Sequence, residues 1–319
     1  MGGDSGPRLC ISAALKFARL HPSVRLTLIG DRDQLSADAS SFSRQINILP
    51  AEFQVEMQEQ PAKALRHKRE SSMALAVKMV ASGEADACVS GGNTGALMAF
   101  GLHLLGTMPG IERPAICKAV PSKDGVCWVL DLGANLECSA EHLRQFACMG
   151  SALAKLNGVA SPRVALLNVG VENQKGRELE QEAAALLKAQ SGMNFIGFVE
   201  GGDIYRGKAD VVVCDGFTGN ALLKASEGAA ELLQNSLKNT FQSTAAGRLA
   251  GWLARPVLRS WISRYDPARL NGASLLGLSG VVVKSHGSAS ETGFIAALNV
   301  AREQAAHRII DTMAAAVAG

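Results

Sequence analysis

Aromatic residues are scarce in this sequence, and neither sign of charge dominates it. Phe, Trp and Tyr make up 5% of the 319 residues, and the formal net charge at pH 7 is +3. Proteins that bind single-stranded nucleic acid stack bases on aromatic side chains inside strongly basic grooves. This composition provides neither feature, so we expect no nucleic-acid partner.

Metal-ligand and disulfide patterns are also missing. The seven cysteines are odd in number, scattered and never in a C-x-x-C pair, and the histidines show no ligand spacing. Several cysteines lie inside apolar runs, which is typical of buried, reduced thiols in a cytoplasmic protein. We therefore expect neither disulfides nor a metal site.

Long apolar stretches are absent too: none could cross a bilayer without a charge, and the first residues do not resemble a signal peptide. Hydrophobic residues make up 47% of the chain and charged residues 19%. That profile is typical of a folded, soluble enzyme and not of a disordered chain. The sequence therefore predicts a cytoplasmic globular protein.

What the sequence does contain is a regular alternation of strand-length apolar runs with helix-length periodic segments. Unbroken aliphatic strands between helices are typical of a mostly parallel sheet with helices on both faces. We therefore predict a single α/β domain over residues 1–319. The predicted strands are 25–29, 85–89, 115–120, 126–132, 164–169, 194–200, 209–214 and 280–284, and the predicted helices are 9–20, 71–81, 95–105, 140–156, 176–189, 220–242 and 288–317.

Residues 229–271 interrupt this alternation and are predicted to form an inserted amphipathic helical hairpin. Its first segment has an apolar stripe at helical spacing, and Pro256 is expected to break or kink the second. Tryptophans and arginines lie together there, as in helices that rest on an anionic bilayer surface. Burial of the stripe against a second subunit is an equally good interpretation. The residues predicted to face a membrane are Arg248, Leu249, Trp252, Leu253 and Trp261.

Three glycine-rich turns each follow a predicted strand and lead into a helix, at 90–96, 214–220 and 286–290. The first backbone N–H groups of a helix have no intrahelical partner and attract anions. In a parallel sheet, ligands bind at the carboxyl ends of the strands. We therefore expect the three turns to lie along one edge of the sheet and to form a phosphate-handling site.

Lys284 and His286 leave the last strand together, and we predict an electrophilic or proton-donating role for them, with Asn93 as a third catalytic candidate. The structural alternatives are a solvated lysine at a strand end and a turn histidine bonded to the backbone. The residues predicted to bind phosphate or the acyl group are Gly91, Gly92, Thr94, Gly95, Asn168, Lys175, Asp215, Gly216, Thr218, Gly219, Asn220, Gly287 and Ser288.

Asp131 and Asp215 each precede a glycine after an apolar strand, where aspartate most often anchors its turn by accepting backbone N–H bonds. Thr218 accompanies Asp215, which makes Asp215 the better functional candidate of the two. Glu172 would repel phosphate, so we expect it to orient Lys175 instead.

Seven segments, in order along the chain, resemble those of one known family. They are Met-Gly-Gly-Asp (1–4), Ser-Gly-Gly-Asn-Thr-Gly-Ala (90–96), Leu-Asp-Leu-Gly-Ala-Asn (130–135), Asn-Val-Gly-Val-Glu-Asn-Gln-Lys-Gly (168–176), Cys-Asp-Gly-Phe-Thr-Gly-Asn (214–220), Asn-Gly-Ala-Ser-Leu-Leu-Gly-Leu (271–278) and Lys-Ser-His-Gly-Ser (284–288). Over nearly its whole length the chain is similar to the bacterial phosphate acyltransferases, the PlsX family.

The resemblance implies a fold like that of isopropylmalate and isocitrate dehydrogenases and of phosphotransacetylase. It implies transfer of a fatty acyl group from acyl carrier protein to inorganic phosphate, by a cytoplasmic homodimer without metal or organic cofactor. That homodimer would work at the inner face of the membrane and pass acyl phosphate to a membrane glycerol-3-phosphate acyltransferase for phospholipid synthesis. Chains of this family carry a short strand before Met-Gly-Gly-Asp, so we expect a truncated or misassigned start.

Three other functions stay open. A phosphotransacetylase acting on a short acyl-coenzyme A, or a dehydrogenase on a similar fold, would need no membrane-facing hairpin, and the sequence has no G-x-G-x-x-G nucleotide turn. A non-enzymatic adaptor on a lipid surface would need none of the polar glycine turns.

Overall fold

A computed structural model describes residues 3–4, 6–36, 45–172, 174–265 and 267–318, and for residues 259–265, 267 and 318 it describes the backbone alone. Within these ranges ten strands alternate with twelve α-helices. The strands are β1 Leu26–Gly30, β2 Ile46–Pro50, β3 Ala87–Ser90, β4 Ala115–Ser122, β5 Gly125–Leu130, β6 Val164–Leu167, β7 Phe195–Val199, β8 Val211–Val213, β9 Ala273–Leu276 and β10 Val281–Lys284. The helices are α1 Gly6–Leu20, α2 Arg32–Ser36, α3 Pro61–His67, α4 Ser72–Ala81, α5 Thr94–Leu104, α6 Ala140–Leu156, α7 Glu178–Ala189, α8 Gly201–Arg206, α9 Gly216–Gln242, α10 Ala245–Tyr265, α11 Glu291–Ala306 and α12 Ile309–Ala318.

Eight of the strands form one sheet in the order β3-β10-β9-β4-β5-β8-β6-β7, and β1 pairs with β2 in a separate parallel pair. Four of the seven pairings in the large sheet are parallel, and the three along β10-β9-β4-β5 are antiparallel. The prediction of a mostly parallel α/β sheet with helices on both faces is confirmed. Strands β2 and β9 are not among the predicted ones.

The antiparallel pairings reverse the strand direction across the sheet. β3, β10 and β4 run one way, whereas β9, β5, β8, β6 and β7 run the other way. We call the edge at which β3 and β10 end the first edge, and the edge at which β5, β8 and β6 end the opposite edge. The turns at 90–96 and 286–290 lie at the first edge, and the turn at 214–220 lies at the opposite edge. The expectation of three turns along one edge is therefore wrong, because an odd number of antiparallel pairings separates β10 from β8.

Helices cover both faces of the large sheet. One face packs against α6, α7, α11 and α12, where Phe146 and Met149 are fully buried. The other packs against α4, α5, α8 and the first turns of α9, where Leu97 and Phe100 are fully buried. Burying one side chain of this size contributes roughly 1.5–3 kcal/mol. These two layers of helices fix the positions of the strands, and therefore of the polar residues at the strand ends.

Two helices differ from their predictions. The predicted helix 288–317 is divided into α11 and α12 at Arg308, whose φ of 48° lies in the left-handed region and ends a right-handed helix. Pro256 is expected to break or kink the hairpin, yet it lies inside α10, which continues from Ala245 to Tyr265. Proline removes one backbone N–H bond of a helix. On so exposed a helix, water can satisfy the carbonyl that loses its partner.

Helices α9 and α10 contact each other and are exposed over most of their length. A Cβ atom on Gly251 of α10 would lie 3.2 Å from the ring of Phe241, so the two helices approach closely near the turn that joins them. Trp252 and Leu253 are 67% and 63% exposed. None of the described helices is long and apolar enough to span a bilayer. The delimitation of 229–271 as an inserted unit stays a prediction, and the side chain of Trp261 lies outside the described residues.

A cavity of about 1010 Å³ separates β1 from β3. Residues 23–29 and 84–91 line it in unbroken runs along the two strands, and Phe17, Met73 and Phe294 close it from the helices. Among the described strands, β3 pairs with β10 alone, so its other side faces this cavity. Backbone N–H and C=O groups along a strand need polar partners. We place no substrate in this cavity.

Candidate active site

Two of the glycine turns meet at the first edge of the sheet. Strands β3 and β10 are parallel neighbours with Lys284 paired to Ser90, so the turns that follow them lie side by side. The N-terminal segment joins them, because the Asp4 N–H donates to the carbonyl of Gly287 at 2.9 Å. A Cβ atom on Gly3 would lie 3.1 Å from the same carbonyl oxygen, so the N-terminal segment packs closely against this turn.

Two lysines of the sheet flank an alanine beneath these turns. Lys284 pairs with Ala273 of β9, and Ser274 pairs with Cys117 of β4. One step further along the same register, Ala273 faces Lys118. Adjacent strands lie about 4.8 Å apart, so the Cα atoms of Lys284 and Lys118 are about 10 Å apart on one face of the sheet. Small Ala273 leaves space between the two lysine side chains.

Helix α9 forms the wall of this space. It begins at the opposite edge of the sheet and crosses the face, so that Glu227 lies 3.5 Å from the Lys118 ammonium. Glu227 also accepts a hydrogen bond from Lys224 at 2.9 Å. The Lys118 side chain is 17% exposed, and a 3.5 Å contact satisfies its three N–H donors poorly. A partly buried ammonium of this kind is suited to binding a further anion.

Lys284 is the buried cation at the end of β10. Its side chain is buried and donates to the carbonyl oxygens of Ser285 and, at 3.3 Å, of Gly91. Burial, helped by the charge of Lys224, lowers the pKa of Lys284 to about 8, although Asp4 opposes the change. A lysine with a perturbed pKa, beside a histidine at a strand end, is a functional candidate.

His286 presents one defined nitrogen to the cluster. Its Nδ1 accepts from the Ser288 N–H at 3.3 Å and lies 2.9 Å from the Ser288 hydroxyl. Because Nδ1 is the acceptor, the proton of the neutral ring is assigned to Nε2. Partial burial lowers the pKa of His286; Glu227 raises it, and the neighbouring lysines lower it further. At neutral pH the ring is therefore an uncharged hydrogen-bond donor.

The cluster as a whole carries a small positive charge. Three ammonium groups and two carboxylates surround a neutral imidazole, which leaves a net charge of +1. Within the described residues, no group of His, Cys, Asp and Glu could hold a metal ion. The arrangement is suited to a small anion held by ammonium and backbone groups. Its titratable members are Asp4, Lys118, Lys224, Glu227, Lys284 and His286.

Asn93 shapes the first turn with both ends of its amide. Its oxygen accepts from the Ala96 N–H at 3.0 Å and caps α5, while its nitrogen donates to the carbonyls of Met57 and Glu59 at 2.9 and 2.8 Å. The side chain is buried and fully occupied in this arrangement. Gly91, Gly92, Thr94 and Gly95 lie in the turn that Asn93 organises, and Gly287 and Ser288 lie in the neighbouring turn.

The turn at 214–220 has its own tightly packed structure at the opposite edge. Asp215 caps α9 by accepting from the Thr218 N–H and hydroxyl, both at 2.8 Å, and it pairs with Arg177. Burial alone would raise the pKa of Asp215, but hydrogen bonds from Arg177 and Thr218 hold it below its usual range. Asp215 therefore anchors its turn, as expected.

Close backbone contacts explain the glycines of that turn. A Cβ atom on Gly219 would lie 1.9 Å from the Asp131 carbonyl oxygen, and one on Gly216 would lie 2.6 Å from that of Asn135. Asn220 packs against the neighbouring Gly133. These glycines permit α9 to start against the sheet. Their predicted contact with phosphate or the acyl group stays a prediction.

The third predicted polar group also lies at the opposite edge, after β6. Asn168 donates to the Lys175 carbonyl at 2.9 Å, and the Lys175 ammonium pairs with Glu172 at 2.9 Å. The expected contact between Glu172 and Lys175 is thus present. Four strands separate β6 from β10, so this group does not join the first-edge cluster.

The sequence motifs do not predict three members of the cluster. Lys118 lies inside a strand, and Lys224 and Glu227 lie in the middle of a helix, away from any glycine turn. A signal for Lys118 was present, since a lysine interrupts the otherwise apolar run 115–120. Buried charges in strands are rare unless they are paired or functional. Lys224 and Glu227 resemble an ordinary ion pair of an exposed helix and carry no such signal.

Comparison with known protein families and sequences identifies the family of this chain. The profile of the family described as "Fatty acid synthesis protein" matches residues 1–312. A phosphate acyltransferase of Saccharophagus degradans is 52% identical over 308 residues, which cover 96% of this chain and 90% of that protein. A phosphate acyltransferase of Teredinibacter turnerae is 49% identical over 316 residues, covering 98% and 96%.

Solved structures confirm the fold. A phosphotransacetylase from Streptococcus pyogenes aligns with a TM-score of 0.62 at 15% identity, covering 93% of this chain and 91% of that one. A 4-hydroxythreonine-4-phosphate dehydrogenase from Klebsiella pneumoniae aligns with a TM-score of 0.55 at 14% identity, covering 96% and 98%. At such identities the likeness concerns architecture alone, and it bears out the expected similarity to phosphotransacetylase.

Proposed function

The chain belongs to the phosphate acyltransferase family, and from this premise we propose that it transfers a long-chain fatty acyl group from acyl carrier protein to inorganic phosphate. The product is an acyl phosphate that a membrane glycerol-3-phosphate acyltransferase consumes in phospholipid synthesis. The observation that carries the proposal is the pair Lys284 and Lys118 on either side of Ala273, with His286 beside them.

In the proposed reaction a phosphate oxygen attacks the thioester carbonyl carbon. The carbon–sulfur bond breaks, the thiolate leaves, and the phosphate proton ends on the carrier thiol. Lys284 and Lys118 hold the phosphate, and the Nε2–H of His286 donates to the oxyanion of the tetrahedral intermediate. The turn that Asn93 organises, with the backbone of Gly91 and Gly92, positions the substrates above the two lysines.

The cysteines support direct displacement without a covalent enzyme intermediate. Burial raises the pKa of the Cys88 and Cys127 thiols to about 12 and that of Cys138 to about 11. The other four thiols are shifted upward as well. The thiolate is the nucleophilic form of cysteine, and none of these sites favours it.

One assay distinguishes the possible functions. Palmitoyl-acyl carrier protein and palmitoyl-coenzyme A are each incubated with phosphate, and acyl phosphate is measured. We expect product from the carrier thioester. Product from the coenzyme A thioester alone would favour a phosphotransacetylase, and no product from folded protein would leave the adaptor function.

The pH dependence tests Lys284. Because the pKa of Lys284 is lowered to about 8, kcat/KM for phosphate should fall above about pH 8, by close to tenfold per pH unit, as the ammonium is lost. In Lys284→Arg the guanidinium stays charged, so the ratio of variant to wild type should rise between about pH 8 and 10. Measuring this ratio cancels the titration of phosphate and the hydrolysis of the thioester. A ratio that is constant over this range would exclude the Lys284 ammonium.

We also propose that the hairpin attaches a homodimer to an anionic membrane surface. Trp252 and Leu253 of α10 are exposed and lie beside Arg248 and Leu249, as in helices that lie in a bilayer interface. Packing of the same helices against a second subunit would bury the α9 stripe, where Leu233 is 69% exposed. The two contacts are compatible if the hairpins of two subunits pair and leave their ends free.

The combined substitution Trp252→Glu and Leu253→Glu should abolish flotation with anionic vesicles and leave turnover of soluble substrate unchanged. Each lost burial weakens attachment by roughly 1.5–3 kcal/mol, so binding should fall at least about 100-fold. The matched control places glutamates at Leu20 and Leu136, which are 66% and 67% exposed and lie outside the hairpin, and it should float like the wild type. A variant at 252 and 253 that still floats would show that α10 is not the anchor.

A further inference from the structure

Exposed cations cluster on and after α3, and one of them, Lys63, also interacts electrostatically with Glu59. Lys63, Arg66 and Arg69 are exposed, and none forms an ion pair with a carboxylate of the described residues, whereas the nearby Lys68 pairs with Glu59 at 2.7 Å. Residues 61–69 contain no acidic residue. Like charges on one short segment repel each other, so they are favourable where an acidic partner binds.

Helix α3 starts at the rim of the candidate active site. A Cβ atom on Gly95 would lie 2.8 Å from the ring of Pro61, the first residue of α3. The residues just before α3 are held by Asn93, whose amide donates to the Glu59 carbonyl at 2.8 Å. A Cβ atom on Gly287 would lie 3.2 Å from the Met57 side chain. The cations therefore lie on an element that is fixed to both first-edge turns.

Two exposed apolar side chains accompany the cations. Phe53 and Met57 are 49% and 42% exposed on the segment that leads into α3. An apolar centre with a charged rim is the usual composition of a protein–protein interface. Electrostatic complementarity across such a rim speeds association and selects the partner.

We infer that Lys63, Arg66 and Arg69 form the docking surface for the small acidic carrier protein that presents the acyl thioester to Lys284 and His286. This inference rests on the proposed function, because it names the face that receives the acyl donor. The carrier binds over α3, and its flexible acylated arm passes the first-edge turns into the space above Ala273. Phosphate is too small to contact α3 at the same time, so its binding is independent of these cations.

The test reverses the three charges together, as Lys63→Glu, Arg66→Glu and Arg69→Glu. The dissociation constant of acyl carrier protein and kcat/KM for palmitoyl-acyl carrier protein should each worsen about 10- to 100-fold, mainly through slower association. The salt dependence of wild-type association should disappear, and KM for phosphate should stay within about twofold. The matched control is Arg19→Glu, Lys155→Glu and Lys188→Glu, which changes the net charge equally at exposed positions on α1, α6 and α7.

Three results would overturn the inference. These are carrier affinity within about twofold of wild type, an equal loss in the control variant, or loss of anionic-vesicle binding with carrier affinity unchanged. The first would exclude this face, the second would indicate net charge alone, and the third would make α3 a lipid contact. Failure of the wild-type protein to produce acyl phosphate would contradict the proposed function instead, because carrier binding is measured separately from turnover.

Discussion

Replacing Lys284 by methionine should lower kcat/KM for acyl phosphate formation by about 1000-fold. The Lys284 ammonium is buried beside the carbonyl of Gly91, in a setting where a charge aimed at the reacting phosphate is poorly screened. Removing one such stabilising group from an active site typically costs on the order of 100- to 1000-fold in rate. Methionine keeps most of the side-chain volume, so the packing beneath the turns is preserved.

The matched control for this variant is Lys123→Met, which removes an exposed ammonium from the turn after β4. Its kcat/KM should stay within about twofold of wild type. Thermal unfolding of both variants checks that they are folded. A Lys284→Met enzyme with more than about one fifth of wild-type kcat/KM would mean that the reacting phosphate lies elsewhere.

Replacing Asp131 by alanine should destabilise the protein by about 3–6 kcal/mol. Asp131 is fully buried and accepts backbone N–H bonds from Ile116 at 2.9 Å, Ala134 at 3.1 Å and Asn135 at 2.7 Å. Each buried donor left without an acceptor costs about 1–3 kcal/mol. The free energy of unfolding is measured by urea denaturation.

The exposed Asp86→Ala variant provides the comparison, and it should change stability by less than about 0.5 kcal/mol. Asp131→Asn should fall between the two, because its amide oxygen can still accept two of the three backbone bonds. A loss below about 1 kcal/mol in Asp131→Ala would show that water replaces the carboxylate. The turn after β5 would then need no acidic anchor.

Strand positions and glycine turns follow well from the sequence. Apolar runs such as 211–213 and 281–283 are buried strands, and Asp215, which the sequence predicts to anchor its turn, caps the helix after the first of them. Both features depend on neighbouring residues, and local periodicity and turn chemistry are what a sequence records most directly.

The direction of each strand in the sheet cannot be predicted from the sequence in the same way. Whether β9 runs with or against β10 depends on contacts between distant residues, and β9 is a short run that local pattern does not distinguish from a loop. The reversal that places the 214–220 turn at the other edge comes from the antiparallel pairing of β4 with β5, because β4 and β10 run the same way on either side of β9. The omission of β9 leaves the register between β10 and β4 unknown. It also explains why Lys118 was not predicted, because only the register across β9 brings Lys118 opposite Ala273.

Helix α9 connects the 214–220 turn at the opposite edge with the cluster at the first edge. The helix starts at Asp215 on the opposite edge and delivers Lys224 and Glu227 to the first edge. Gly216 and Gly219 allow it to start close against the sheet. The structure of the 214–220 turn therefore positions Lys224 and Glu227 in the distant cluster, whether or not the turn itself contacts a ligand.

The central claim is that phosphate binds between Lys284 and Lys118, beneath the two turns of the first edge. Diffraction from crystals grown with phosphate tests it most directly. We predict a tetrahedral anion above Ala273, within hydrogen-bond distance of both ammonium groups and of the His286 ring. An anion held instead by the 214–220 turn at the opposite edge, with the space above Ala273 empty, would contradict the account.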